Sequence, residues 1–160
     1  MTAAVLTVSD SAAQGTRADA SGPAVASALQ HKGFSVVATK VVPDERSAIE
    51  AALIELCFTA RLVVTTGGTG LAPRDVTPEA TRALCDRLVE GLAERMRNQG
   101  QRSTPFAVLS RGVCGIRGCT LIVNLPGSPK GATESLAAVI ELLPHALEVI
   151  GGKTGHPASS

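Results

Sequence analysis

The sequence has no tryptophan and no tyrosine, and its only aromatic residues are Phe34, Phe58 and Phe106. Single-stranded nucleic acid is held largely by stacking bases on aromatic rings, so the platforms for it are missing. Nor is there an excess of either charge: 15 Lys and Arg stand against 14 Asp and Glu, a formal net charge of +1. No global field draws a polyanion, and any anion site has to be built locally from amides, helix ends and a few side chains. Nucleic acid is therefore not an expected partner. No apolar run reaches the roughly 18 residues of a membrane span, and residues 1–10 carry no basic stretch ahead of a long apolar one. A soluble cytoplasmic protein with no membrane partner is expected. Cys57, Cys85, Cys114 and Cys119 include no C-x-x-C pair and read as reduced thiols, mostly in the core, rather than as a zinc site or disulfides.

Against these absences stands an ordinary globular composition, 44% hydrophobic and 18% charged over 160 residues. That length suits one domain able to bury most of its unfolded surface. The expected domain covers residues 1–150, and residues 151–160, with glycines, a proline and two serines but no periodicity, read as a frayed tail.

Short apolar runs alternate with helical spacings along that domain. Residues 5–8, 34–42, 62–66 and 121–125 read as strands, and after each comes a loop and then a segment with apolar residues at helical intervals. Examples are Val25, Ala28 and Leu29, then Ile49, Ala52, Leu53 and Leu56, then Leu136, Val139, Ile140 and Leu143. Ser21 offers an N-cap ahead of Pro23, Gly33 a stop, and Thr77-Pro78-Glu79 an N-cap, first-turn proline and first-turn acid. Residues 88–99 read as helical, residues 107–109 and 113–116 as two short strands paired across Ser110-Arg111-Gly112, and Pro144 as an interruption. The pattern predicts an α/β fold: a three-layer open sheet, mostly parallel, with helices on both faces and a row of loops at the carboxyl ends of the strands, where such folds bind ligands.

Three of those loops carry residues suited to phosphate. Gly67-Gly68-Thr69-Gly70 follows an apolar strand, and its glycines let the backbone take positive φ and approach a ligand, forming either an anion-binding amide nest or only a tight turn. It is neither a P-loop nor a G-x-G-x-x-G fingerprint. Arg74, Asp75 and Glu79 come next. Asp75 can hold magnesium, which takes one or two carboxylates and completes its shell with water and phosphates, or can organise its own turn. Asp44 is its candidate partner, or an N-cap. Arg74 can grip a phosphate or bridge to a surface acid. Asn124-Leu125-Pro126-Gly127-Ser128-Pro129-Lys130 places a second glycine, a hydroxyl and a cation ahead of a helix. Ser9, Asp10 and Ser11 supply ligand contacts or cap the strand end. His31, His145 and His156 have no partner spacing, and the absence of G-x-S-x-G and H-E-x-x-H removes two common hydrolase readings.

In order and spacing, Ser9-Asp10-Ser11, Pro43-Asp44-Glu45, Gly67-Gly68-Thr69-Gly70 with Arg74-Asp75-Val76-Thr77-Pro78-Glu79, and Asn124 to Pro129 resemble the molybdopterin adenylyltransferase family over residues 3–150. The resemblance implies an α/β homotrimer that transfers AMP from ATP to the terminal phosphate of molybdopterin and releases pyrophosphate, with magnesium. It implies Asp44 and Asp75 as the essential carboxylates and metal ligands. Ser9, Asp10, Ser11, Gly67, Gly68, Thr69, Gly70, Arg74, Glu79, Asn124, Pro126, Gly127 and Ser128 would bind molybdopterin and ATP, and other molybdenum cofactor synthesis proteins are potential partners. A binding-only paralogue and a nucleotide pyrophosphatase on the same fold are the alternatives.

Overall fold

A computed structural model describes residues 1–153 of the chain. Six strands form one sheet in the order β2-β1-β3-β6-β5-β4. They are β1 (Thr2–Val8), β2 (Ser35–Val42), β3 (Leu62–Thr66), β4 (Arg87–Leu88), β5 (Cys114–Arg117) and β6 (Thr120–Leu125). The first three and β6 are parallel, and β5 runs antiparallel to both β6 and β4. The central strands carry apolar residues at consecutive positions because both their faces are covered. After the short α1 (Asp10–Ala13) that follows β1, the longer helices pack on the sheet: Ala3, Val5, Leu62, Val64, Leu121 and Val123 face one way, into α2 (Ser21–His31), α5 (Glu90–Gly100), α6 (Pro129–Val139) and α7 (Leu143–Ile150). Ala4, Leu6, Val63 and Ile122 face the other way, into α3 (Arg46–Thr59) and α4 (Thr77–Leu84). This is the expected three-layer sandwich. The edge strand β2 alternates exposed and half-buried positions instead.

Several local expectations are corrected. Residues 107–109 do not form a strand: Pro105–Leu109 is a 3-10 helix, begun by a proline and capped by the Thr104 hydroxyl, which accepts from the Phe106 amide at 3.3 Å. The hairpin partner of β5 is β6, joined through Gly118 and Cys119 with Gly118 at φ 55°, a two-residue turn that a glycine favours. Ser21 does not cap α2. Ala20 takes the cap position, and Asp19 just before it accepts from Gly22 N at 2.9 Å, while its second oxygen takes the Thr7 hydroxyl at 2.7 Å. Pro144 opens α7 after the 3-10 turn Ile140–Leu142, where its missing N–H costs nothing. His31 closes α2 with its Nδ1 at 2.7 Å from the Ser27 carbonyl. Of the expected tail, residues 154–160, which include His156, lie outside the described residues.

No described helix is long and apolar enough to cross a membrane. The four cysteines are free thiols, but they are not mostly in the core as expected: Cys114 is buried, Cys57 and Cys85 are half-buried at its margin, and Cys119 is exposed in the β5–β6 turn. Burial pushes Cys85 up to about 11 and Cys114 up to about 12, which keeps both protonated and inert at neutral pH.

Candidate active site

Because β1, β2, β3 and β6 run the same way, Val8, Val42, Thr66 and Leu125 end at one edge of the sheet, and the loops that follow meet there. Ser9 N donates to Val42 O at 2.9 Å and Gly67 N to Leu125 O at 3.1 Å, tying adjacent strand ends together.

In the glycine loop, Gly67 and Gly68 have φ of 101° and 64°, the left-handed region that side chains avoid. Space is equally restrictive. A Cβ on Gly67 would lie 2.1 Å from Val8 O, and one on Gly68 would lie 2.3 Å from Thr77 Oγ1 and 3.2 Å from Asp44 Oδ1. Thr77, expected to cap its helix, instead sends its buried hydroxyl to Gly67 O at 2.9 Å. Among the described residues the N–H groups of Gly68, Thr69 and Gly70 donate to no backbone acceptor, which leaves them free to face an anion.

The proline-glycine-serine loop packs directly on this nest. Thr66 Oγ1 donates to Pro126 O at 2.7 Å, and a Cβ on Gly127 would sit 3.3 Å from Gly67 Cα. Ser128 caps α6, its hydroxyl accepting from Gly131 N at 3.1 Å, so the positive end of an 11-residue helix opens at the same place.

The acidic residues divide into two arrangements. Asp10 and Asp44 hold one another: Asp10 N donates to Asp44 Oδ2 at 2.8 Å and Asp44 N to Asp10 Oδ1 at 3.0 Å. Arg74 grips both Asp10 oxygens, at 2.6 and 2.8 Å, and this hydrogen bonding holds the Asp10 carboxyl below its ordinary range. Asp44 goes the other way. Burial foremost, then the nearby charges of Asp10 and Asp75, raise its carboxyl above the usual value despite the Asp10 amide. Asp75 Oδ2 accepts from Ala72 N at 2.9 Å and lies where a Cβ on Gly70 would come within 2.8 Å.

Two clefts flank these groups. The larger, about 620 Å³, has apolar walls that include Leu71, Met96, Phe106 and Leu109. The smaller, about 440 Å³, is walled by Ser9, Ser11, Asp19 and Asp44. Gly68, Asp75, Gly127 and Ser128 line both. The two clefts therefore adjoin at a junction of amides, a hydroxyl, a helix N-terminus and a carboxylate.

Other expected site residues stand differently. Arg74 is held outward on Asp10, away from the walls of either cleft. Asn124 touches the larger cleft, but its amide is committed inside the fold, accepting from Val113 N at 3.2 Å and donating to Thr65 and Thr81 hydroxyls at 3.0 Å each. Glu79 lines neither cleft and pairs with Arg111. Arg111, read from the sequence as part of a turn, also reaches Gly70 O and Asp75 O, at 2.8 and 2.6 Å. No local sequence signal marks it, because its acceptors lie 32 to 41 positions away.

Among the described residues no group of three or more His, Cys, Asp or Glu side chains forms a metal cage. Asp44 and Asp75, which line the same cleft, are a sparse oxygen set, and the Asp75 charge acts on Asp44. Such a set fits magnesium, whose remaining ligands are water and substrate phosphates, and does not fit zinc.

The geometry has counterparts in known proteins. Residues 4–145 match the family model described as "Probable molybdopterin binding domain". The chain is 43% identical over 152 residues to the molybdopterin adenylyltransferase of Helicobacter pylori, covering 92% of this chain and 86% of that protein. It is 42% identical over 139 residues to the molybdopterin adenylyltransferase of Escherichia coli, covering 84% of this chain and 71% of that one. The crystal structure of the molybdopterin biosynthesis enzyme MoaB from Thermus thermophilus superposes with a TM-score of 0.89 at 54% identity, covering 95% of this chain and 97% of that one. The chain belongs to the molybdopterin-binding domain family of molybdenum cofactor biosynthesis, in which the molybdopterin adenylyltransferases are found.

Proposed function

We propose that the chain is a molybdopterin adenylyltransferase, joining the α-phosphorus of ATP to an oxygen of the molybdopterin phosphate and releasing pyrophosphate. The supporting observation is the meeting of two clefts at Gly68, Asp75, Gly127 and Ser128. One cleft admits each substrate, and only their phosphates meet. The new phosphorus–oxygen bond forms as the bond from the α-phosphorus to the bridging oxygen of the β-phosphate breaks, and that electron pair leaves with pyrophosphate.

Catalysis of this kind is chiefly alignment plus stabilisation of charge. The unpaired amides of residues 68–70 and the N-terminus of α6 receive phosphate oxygens without requiring net positive charge. The molybdopterin phosphate has little proton to lose, so Asp75 and Asp44 serve as metal-anchoring groups rather than as a base. When bound there, magnesium neutralises charge on the polyphosphate. Ser9 and Ser11 offer hydroxyls within the smaller cleft, and a ring system in the larger lies against Leu71, Met96, Leu109 and the aromatic Phe106. A homotrimer and a cytoplasmic location belong to the same proposal; light scattering at a monomer mass overturns the trimer. Exposed Phe106, Val108 and Leu109 give apolar surface that association can cover.

Asp75→Asn tests the assignment. Turnover is expected to fall at least ~100-fold, as when a group that stabilises transition-state charge is lost, with molybdopterin affinity by calorimetry changed little. Full activity in that variant overturns it.

A further inference from the structure

Arg111 stands on the stretch between the 3-10 helix and β5, beside Ser110 and Gly112, which line the larger cleft. Its backbone N–H donates to Thr69 O at 2.9 Å. Its guanidinium spreads over three acceptors: Nε meets Gly70 O at 2.8 Å, one terminal nitrogen meets Asp75 O at 2.6 Å, and the other pairs with the Glu79 carboxylate. Gly70 and Asp75 are the two ends of the segment that carries the Asp75 carboxylate. Within it, Ala72 N fixes one carboxylate oxygen and Asp75 N returns to Ala72 O, both at 2.9 Å.

We infer that Arg111 is a positioning residue for adenylyl transfer: its guanidinium clamps both ends of the Gly70 to Asp75 segment and thereby aims the Asp75 carboxylate at the junction of the two clefts. This rests on the role given to Asp75 above. A planar fork of five N–H donors can serve three separated acceptors together, whereas the single ammonium of a lysine cannot. Glu79 aims the fork from the first turn of α4. Without the clamp the two carbonyls part and the carboxylate drifts, and misplacement by about 1 Å costs on the order of 100-fold in rate.

Arg111→Lys is expected to lower kcat about 10- to 100-fold while KM for ATP and molybdopterin stays within about threefold, the split that marks lost alignment rather than lost binding. Hydrogen exchange should quicken in a peptide covering residues 70–76 and stay unchanged in peptides from β1 and β3. Adding Arg111→Lys to Asp75→Asn should cost no further activity, since the clamp acts through that carboxylate. Glu79→Gln, which leaves the guanidinium in place, should give the same pattern at about 3- to 10-fold, and it decides the matter if Arg111→Lys fails to fold. If Arg111→Lys or the folded Glu79→Gln keeps full kcat beside an inactive Asp75→Asn, or if only Tm falls, the positioning role is overturned. If Asp75→Asn is itself fully active, the role of Asp75 is what fails.

Discussion

Gly68→Ala probes the packing that makes the junction. Its φ of 64° is left-handed, a conformation that costs a side-chain-bearing residue about 1–2 kcal/mol. The new methyl would start 2.3 Å from Thr77 Oγ1 and force that hydroxyl off Gly67 O, and an abandoned buried hydrogen bond costs about 1–3 kcal/mol. The loss is then about 2–5 kcal/mol, which in a domain of this size lowers Tm by on the order of 5–15 °C and leaves a folded protein at 20 °C if its starting stability is ordinary. The same methyl, 3.2 Å from Asp44 Oδ1, intrudes beside the carboxylates, so kcat should fall at least ~100-fold. Gly33→Ala is the internal control: φ is 84° and a Cβ there meets nothing within 4 Å, so backbone strain of about 1–2 kcal/mol is all it should show, with kcat untouched. Thermal unfolding by circular dichroism and a pyrophosphate-release assay on both variants give the comparison. Equal Tm losses, or an active Gly68→Ala, would refute the steric reasoning.

Asp44→Asn keeps an oxygen for the Asp10 amide but removes a charge that burial and the Asp10 and Asp75 carboxylates oppose. A carboxyl raised in the folded state contributes stability below its unfolded pKa and loses it as pH rises through the raised value. In magnesium-free buffer at pH 7 the variant should therefore melt higher than the parent, by on the order of 1–3 °C, with the gap closing towards pH 4. A gap that widens in acid contradicts the assignment. Asn124→Leu leaves the Val113 amide and the Thr65 and Thr81 hydroxyls without a shared partner, so urea denaturation should show a loss of about 2–4 kcal/mol.

What the sequence made legible is what local pattern controls. Residues 62–64 and 121–123 are apolar at every position because strands covered on both faces must be, and helix spacing located Leu53 and Leu136 in the core. The loops at the strand ends followed from the parallel arrangement. Where a residue's partner lies far away in the chain, local signal fails. Ser21 satisfies capping preference, yet it lies inside α2, and the Gly22 amide is met instead by Asp19, whose other oxygen accepts from Thr7 in β1. Thr77 has the form of a cap and instead pins the glycine loop. Residues 107–109 have strand-like composition, but Pro105 and the Thr104 hydroxyl begin a 3-10 turn there. At the site, Asp44 and Asp75 stood out as strand-end carboxylates, whereas the mutual grip of Asp10 and Asp44 spans 34 positions and the clamp from Arg111 to Gly70 spans 41. Glu79 was legible as a first-turn acid; its partnership with Arg111 was not.

The most direct test supplies the purified protein with ATP, magnesium and molybdopterin together and in each pairwise omission, and measures pyrophosphate. Release that requires both ATP and molybdopterin, accompanied by an adenylylated pterin product, is the predicted result. Molybdopterin binding with no pyrophosphate from the folded protein, or nucleotide hydrolysis that proceeds without the pterin, would contradict the account of two substrates meeting at Gly68 and Asp75.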